Sequence, residues 1–229
     1  YDTTTGDLRR TFPRGRCWTF CLDFSPTDST VLVAGGTSGL MAYNTATGNS
    51  RELWRGSESE LRCVTFSPAG STIAFCHKYM VAVIKIGGPD PTRDPFAVPA
   101  RVLLTTHPGG PRRIEGVAFS PTGSVLAVGI YDGTVKCYDV ASGQVRSEIY
   151  YHGGHGCACG IWTIGYSRRG IIAAGGPDGK LVLYDASNGQ LNREISPVGP
   201  AGNGSCFSPD GSMVAVRSVP LRVWPADML

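Results

Sequence analysis

Charged residues and long apolar runs are both scarce in this sequence. Asp, Glu, Lys and Arg together make up 17% of its 229 residues, against about 25% in an average globular chain, which argues against a disordered segment or a coiled coil. No stretch approaches the about 18 consecutive apolar residues that a membrane-spanning helix requires. The sequence therefore predicts a globular chain that is not inserted in a membrane.

Motifs that carry catalysis are also absent. The sequence contains no Gly-x-Ser-x-Gly, no His-Glu-x-x-His and no glycine-rich phosphate loop, which are patterns that position a nucleophile, a metal or a nucleotide. Gly179-Lys180 is followed by Leu181 and belongs to a predicted hairpin. We therefore predict that the protein is not an enzyme and has no cofactor.

Lysine is rare, whereas cysteine is not. The net charge of +3 is too small to indicate a nucleic-acid-binding protein by itself, although only 4 of the 21 basic residues are Lys. Most of the eight cysteines lie in apolar runs, and Cys21, Cys63, Cys76 and Cys137 are predicted to be small buried side chains. Reduced thiols favour the cytoplasm, with the nucleus or a cytoskeletal or ciliary assembly as alternatives.

Glycine and proline are abundant and are scattered between short apolar runs. The chain has 31 Gly and 16 Pro, which together make up about a fifth of it, as in a fold of many strands and turns. In the first part of the chain, apolar runs at 22–24, 31–34, 40–43 and 53–54 have the length and spacing of strands. The composition and these runs predict an all-β protein.

Two short segments recur along the chain. Phe-Ser-Pro begins at Phe24, Phe66, Phe119 and Phe207, with a degraded copy at Tyr166, and the spacings are 42, 53, 47 and 41 residues. About 20 residues after each copy comes a second marker. Its copies are Tyr43-Asn44, Val83-Ile84-Lys85, Tyr138-Asp139, Tyr184-Asp185 and Trp224-Pro225, with an additional Tyr1-Asp2 at the start. Turn residues separate four strand-like runs in each unit.

These units resemble the WD-repeat β-propellers, in which about 40 to 45 residues form one four-stranded blade. The best matches are residues 116–143 and 170–189. The resemblance implies an all-β propeller of four-stranded antiparallel blades with five recognisable repeats, alone or within a larger propeller. Gly56-Ser57 replaces the usual Gly-His pair, so the family's buried polar network is expected to be incomplete. A structural hydrogen bond between His155 and Asp178 is the part of it expected to remain.

The resemblance divides the chain into a single domain of five blades. Their predicted bounds are 14–55, 56–105, 106–150, 151–195 and 196–229, with residues 8–12 adding the outer strand of the last blade. The family usually has seven blades, and Tyr1 to Gly6 repeat the end of a third strand that 221–224 already supply. We therefore also expect the chain to belong to a longer protein with further chain upstream, and a closed ring of five blades is the alternative.

An irregular segment, 87–101, interrupts the repeat between the third and fourth strands of the second blade. It contains four Pro and two Gly and cannot extend a sheet, because proline lacks a backbone donor. It is predicted to be a tolerated surface loop. The alternative is a docking arm in which Phe96 is the exposed anchor.

One cluster of possible metal ligands lies in the fourth unit. His152, His155, Cys157 and Cys159 fall within eight residues and could surround a tetrahedral zinc ion. Structural zinc sites generally combine two ligand pairs from separate segments, and His155 falls near the family's Gly-His position. We therefore predict a structural loop without a metal.

The candidate partner-binding residues lie mainly in connections from the fourth strand of one blade to the first strand of the next. The resemblance places these connections on one face that binds peptides or domains. Guanidinium groups suit acidic partners, but Glu58, Glu60 and Glu115 in the same connections leave mutual surface ion pairs as an alternative. The candidates in these connections are Arg14, Arg16, Arg55, Glu60, Arg112 and Arg113.

Trp18 is the preferred anchor on this face, and a strand residue packed between blades is the alternative. Together these residues predict a non-enzymatic scaffold that binds other proteins in a larger assembly. The alternative function is RNA or phosphoinositide binding through the same arginines.

Overall fold

The computed structural model shows an all-β chain with no helix among the residues that it describes. Accordingly, no helix in this part of the chain is long and apolar enough to cross a membrane. Its antiparallel four-stranded sheets confirm the predicted fold class. The structure describes residues 4–12, 18–37, 39–55, 60–86, 101–106, 113–151, 160–196, 205–208, 210–216 and 222–226.

Nineteen strands within these ranges form five antiparallel sheets. The first three sheets contain β1 (Thr19–Phe24), β2 (Val31–Gly36), β3 (Gly39–Asn44) and β4 (Ser50–Trp54); β5 (Leu61–Phe66), β6 (Thr72–His77), β7 (Met80–Lys85) and β8 (Arg101–Thr106); and β9 (Ile114–Phe119), β10 (Val125–Ile130), β11 (Thr134–Asp139) and β12 (Val145–Tyr150). The last two contain β13 (Thr163–Tyr166), β14 (Ile171–Gly175), β15 (Leu181–Asp185) and β16 (Leu191–Ile195), and β17 (Ser205–Phe207), β18 (Met213–Val216) and β19 (Arg222–Pro225). Consecutive strands pair within every sheet.

A serine hydroxyl fixes the turn between the first and second strands in four of the sheets. This serine is the middle residue of the recurring triplet, and its Oγ accepts the backbone N–H at or near the start of the second strand. The bonds are Thr72 N to Ser67 Oγ (3.2 Å), Val125 N to Ser120 Oγ (3.0 Å), Ile171 N to Ser167 Oγ (3.0 Å) and Met213 N to Ser208 Oγ (2.9 Å). The triplet recurs because each blade needs this local turn.

The second marker caps the turn between the third and fourth strands. Asp139 Oδ1 accepts the backbone N–H of Ser142 at 2.8 Å, and Asp185 Oδ1 accepts that of Ser187 at 2.7 Å. Asn44 Oδ1 does the same for Thr47 at 2.8 Å, so an amide oxygen can replace the carboxylate. These are side-chain turns of the kind that Asp and Asn favour.

The apolar core lies in layers between successive sheets. In the layer between the second and third sheets, Cys76 and Val81 of the second pack against Phe119, Leu126 and Tyr138 of the third. Similar layers join the first sheet to the second, the third to the fourth and the fourth to the fifth. Each sheet thus buries its apolar surface against its neighbours, which supports the expected stacking of blades.

The first strands of the five sheets surround a common space. A cavity of about 490 Å³ is lined by residues of all five, including Leu22, Cys63, Val117, Ile164 and Cys206. β5 contacts β1 and β9, and β13 contacts β9 and β17. This arrangement is the one expected when blades are set radially with their first strands innermost.

Residues 8–12, predicted to be the outer strand of the fifth sheet, are not a strand in the structure. Arg10 Nη2 donates to the Ala46 carbonyl at 3.0 Å, and the Phe12 ring lies 4.8 Å from that of Tyr43. These residues contact the first sheet, and the fifth sheet is described with three strands. Closure of the ring by 8–12 therefore stays a prediction.

Three other predictions from the sequence can be compared with the structure: the buried cysteines, the triplet phenylalanines and the position of the insertion. Cys76 and Cys137 are buried as predicted, but Cys21 and Cys63 are only half-buried. The triplet phenylalanines Phe66 and Phe119 are buried, whereas Phe24 is 51% exposed. The predicted insertion falls between β7 and β8, although Arg101 already begins β8; residues 87–100, Phe96 among them, lie outside the described residues.

Because Asp139 caps its turn as a carboxylate, we predict that the melting temperature of the protein falls in acid when this group is protonated. Backbone and side-chain hydrogen bonds from Ser142 and the Arg146 guanidinium lower the pKa of Asp139 to about 2. The stabilisation by this carboxylate is therefore present above about pH 4 and is lost as the pH falls towards 2. Asp139→Asn should keep the turn, as Asn44 does, and should reduce the fall in melting temperature between pH 4 and pH 2.

Asp139→Ala is the matched control for this measurement, because it removes the acceptor as well as the charge. It should lower the melting temperature at neutral pH more than Asp139→Asn does. Identical acid profiles for the wild type and Asp139→Asn would contradict the assignment.

Candidate interaction surfaces

One end of the sheets carries most of the described candidate residues. At this end the first strands begin, the second strands turn into the third, and the fourth strands end. We call it the arginine face, and its described members are Trp18, Arg55, Glu60, Arg62, Arg113 and Glu115.

Trp18 is held by its backbone while its side chain is exposed. Its N–H donates to Thr37 Oγ1 at 3.1 Å, and its carbonyl accepts the Thr37 N–H at 3.1 Å. The residue as a whole is 73% exposed. The indole is not packed between the described sheets, and its role as a partner anchor stays a prediction. Because these two hydrogen bonds already fix the backbone of Trp18, little backbone entropy would be lost when the ring binds a partner.

Arg62, which the sequence analysis did not single out, organises the middle of the arginine face. Its guanidinium carbon lies 5.9 Å from the centroid of the Phe20 ring, within the range of a cation–π contact. Nη2 lies 2.5 Å from Glu60 Oε2, and Nη1 lies 3.9 Å from Glu115 Oε2. Arg62 therefore connects β1, β5 and β9 through one side chain.

Glu115 is a buried acid beneath this surface. Its side chain is 5% exposed, and Oε1 lies 3.0 Å from Arg113 Nε in an ion pair. Oε2 has no hydrogen-bond partner among the described residues, although the Arg62 guanidinium is near. A carboxylate at this depth needs such cations, because burial strongly disfavours an unpaired charge. Arg113 and Arg62 are therefore partly committed to Glu115.

Arg55 forms a separate pair at the end of β4. Its Nε lies 3.0 Å from Glu52 Oε1, and Nη2 lies 2.7 Å from Oε2. The Arg55 side chain is 77% exposed, so the pair is a surface contact that adds little to stability. An incoming carboxylate could replace Glu52 at little cost.

The structure thus brings Glu60 and Arg113 into one cluster, through Arg62 and Glu115. Trp18 and Arg55 both lie against the turn between β2 and β3. The other predicted members of this face, Arg14, Arg16 and Arg112, are outside the described residues. The alternative of mutual ion pairs applies to Arg113, whereas Arg55 pairs with a carboxylate that the sequence analysis did not consider.

A second concave surface lies at the opposite end of the first strands. A cavity of about 640 Å³ is lined there by the triplet residues and by two charged side chains, Asp23 and Arg168. Asp23 Oδ2 accepts the backbone N–H of Phe66 at 2.8 Å, which ties β1 to β5. Burial raises the pKa of Asp23, partly offset by this bond. Asp23 is therefore a structural bridge between sheets.

Asp178 has a polar partner other than the predicted histidine. Tyr151 donates its hydroxyl to Asp178 Oδ1 at 2.7 Å, and the Lys180 N–H donates to the same oxygen at 3.2 Å. Burial and the nearby Asp178 carboxylate raise the pKa of Tyr151 well above its ordinary value. His155 lies outside the described residues, so its bond to Asp178 stays a prediction. Asp178 nevertheless joins the third blade's end to the fourth sheet.

Metal binding finds no support in the described residues, which contain no group of three or more His, Cys, Asp or Glu side chains placed to hold an ion. His152, His155, Cys157 and Cys159 are outside them. The prediction that this segment holds no metal therefore stays a prediction.

Comparison with known families adds one finding. Residues 99–169 match the family model of the anaphase-promoting complex subunit 4 WD40 domain, a stretch that includes the whole third sheet. No match was found among the curated proteins. The match covers less than a third of the chain, and together with the phased repeats and the stacked four-stranded sheets it supports the resemblance to the WD-repeat proteins.

The Tyr151–Asp178 bond gives a test of the buried network. Tyr151→Phe removes the hydroxyl donor and leaves a buried carboxylate with one hydrogen bond fewer, which should cost about 1–3 kcal/mol of unfolding free energy. Urea unfolding of the wild type and the variant measures this loss. Tyr79→Phe, at a residue 39% exposed on the β6–β7 turn, is the control and should be nearly neutral. Equal stabilities for the two variants would contradict a structural role for the bond.

Proposed function

We propose that this protein is a non-enzymatic interaction scaffold and a subunit of a larger multiprotein assembly. The arginine face carries the proposal: an exposed indole and guanidinium groups stand at the ends of strands whose positions are fixed by the core. Such a surface pays little ordering cost on binding. The match to a domain of a complex subunit supports the same proposal.

The chemistry of the face favours an acidic partner segment with an apolar side chain. Trp18 offers a large amphipathic ring of the kind that dominates interface energetics. Arg55, close to the same turn, offers a planar group that binds carboxylates through two bonds. Its present partner, Glu52, is itself on the surface. A carboxylate of the partner can therefore take its place without leaving a buried charge.

Nucleic acid is the less favoured ligand. Three of the arginines on this face, Arg55, Arg62 and Arg113, contact carboxylates of the same chain, which reduces the positive potential available to phosphates. The net charge of the whole chain is only +3.

Native co-purification tests the proposed function. The protein, expressed at its natural level, should be recovered with protein partners in a complex heavier than its own mass. Trp18→Ala and Arg55→Ala should each weaken capture at least about tenfold, which corresponds to about 1.4 kcal/mol. Leu191→Ala is the matched control, because Leu191 is 46% exposed on the outer strand β16.

Recovery of free protein alone would contradict the scaffold proposal, as would an equal loss of capture in Leu191→Ala. The salt dependence of binding identifies the alternative. A steep fall in affinity between low and physiological salt, with RNA or anionic vesicles as the ligand, is expected only of phosphate recognition.

A further inference from the structure

Two cysteines face each other across the first two strands of the second sheet. Cys63 of β5 and Cys76 of β6 are register partners, and the Cys76 thiol donates a hydrogen bond to Cys63. Both side chains lie in the layer shared with the third sheet. Directly paired residues of antiparallel strands have Cα atoms about 4.5 to 5.5 Å apart, and a disulfide spans Cα separations of about 4.4 to 6.8 Å. The backbone therefore allows a bond between the two sulfur atoms.

A bulge in β5 produces this pairing. Leu61 lies opposite His77, so a regular antiparallel ladder would place Cys63 opposite Phe75. The register shifts between Leu61 and Cys63, and Cys63 lies opposite Cys76 instead. Bulges redirect side chains in this way and are specific features of a strand pair.

Glycine takes the position of Cys76 in the first, third and fourth sheets. A Cβ at Gly35 would lie 2.9 Å from Leu61 Cβ, and a Cβ at Gly129 would lie 2.7 Å from Ile161 Cγ2. Close approach of the next sheet therefore explains the glycines, but it does not explain a cysteine. The second sheet instead has a thiol on both strands. The equivalent pairs in the other three sheets are Cys21–Gly35, Gly116–Gly129 and Thr163–Gly175.

The two thiols differ in access and in acidity. Cys63 is half-buried and lines the cavity of about 490 Å³ between the first strands, whereas Cys76 is fully buried. The hydrogen bond from Cys76 lowers the pKa of Cys63, although burial opposes this effect. The same hydrogen bond and burial raise the pKa of Cys76. A small oxidant can therefore reach Cys63, and the thiolate is the form of cysteine that reacts.

We propose that Cys63 and Cys76 form a reversible disulfide in response to hydrogen peroxide. The Cys63 thiolate attacks one peroxide oxygen, the O–O bond breaks and hydroxide leaves, so the sulfur is oxidised to a sulfenic acid and the peroxide is reduced. The Cys76 sulfur then attacks the sulfenic sulfur. The S–S bond forms, the S–O bond breaks, and the hydroxyl group leaves as water with the Cys76 proton. A dithiol reductant restores both thiols by exchange.

The other described cysteines are poorer partners for Cys63. Cys21 packs in the layer between the first and second sheets, on the opposite face of the second sheet. Cys137 is buried between the third and fourth sheets, and Cys206 is exposed on the fifth. Among the described cysteines, Cys76 is therefore the one that shares a layer with Cys63.

The disulfide would also change the contact between the second and third sheets. In the reduced protein, Cys63 Sγ donates to the Val117 carbonyl at 3.7 Å and so joins β5 to β9. A sulfur in a disulfide has no proton to donate. Oxidation therefore exchanges a contact between two sheets for a covalent bond within one sheet.

Peptide mapping after peroxide treatment tests the proposal in the complete protein. The native protein is treated with hydrogen peroxide, the remaining thiols are alkylated, and linked peptides are identified by mass spectrometry. The expected product is a peptide pair joined through Cys63 and Cys76, lighter by two hydrogen atoms than the reduced pair and absent after dithiothreitol. Protein unfolded in urea before treatment should lose this preferred pairing, because the register of β5 and β6 no longer holds the thiols together.

Alanine variants assign the two roles. Cys76→Ala should abolish the disulfide and leave Cys63 as a sulfenic acid that dimedone captures, whereas Cys63→Ala should leave Cys76 reduced. Cys137→Ala, at another buried cysteine, is the matched control and should keep the disulfide. Melting temperatures show whether each variant folds, and the map of the wild type decides the question if a variant does not.

Three results would overturn the proposal. One is a native protein in which peroxide leaves Cys63 and Cys76 unlinked. Another is a link from Cys63 to a different cysteine of the chain. The third is an equal yield of the Cys63–Cys76 link in native and urea-unfolded protein, because the fold would then contribute nothing to the pairing.

Discussion

Packing of one sheet face against the next is the interaction on which this structure depends. A four-stranded sheet has two apolar faces and cannot bury either by itself, so each unit is stable only between neighbours. Small side chains such as Cys76 and Val81 on the trailing face of the second sheet accommodate larger ones such as Phe119 and Tyr138 on the leading face of the third. This asymmetry gives the layer between the two sheets a direction.

The same packing leaves exposed side chains mainly at the rims of the sheets. Both faces of an inner sheet are occupied, so exposed chemistry remains at strand ends, on outer strands and in the cavity between first strands. Arg62 shows how a rim residue is immobilised, because it contacts Phe20 of the first sheet and Glu115 of the third while belonging to the second. Because the Arg62 guanidinium contacts both neighbouring sheets, its position is fixed relative to them. We therefore expect the surface around it to be rigid.

Local features were predictable from the sequence, and features that join two sheets were not. The triplet serine and the marker aspartate act within a few residues of their own turns, so the recurrence of Ser67 and Asp139 indicated the turns directly. The bond from Tyr151 to Asp178 spans 27 residues and two sheets, and nothing in the local pattern distinguishes Tyr151 from another strand-end aromatic. Arg62 was missed for the same reason, because its partners Phe20 and Glu115 come from β1 and β9.

The two ends of the stack differ in how much they can vary. At the triplet end, only residues 167–170 separate β13 from β14, and the Ser167 hydroxyl and backbone close that turn. At the arginine face, residues 151–162 separate β12 from β13, and 107–113 separate β8 from β9. Longer connections tolerate substitution and insertion without cost to the core. The arginine face can therefore change its sequence with little effect on the packing of the sheets, whereas the recurring triplets close turns on which that packing depends.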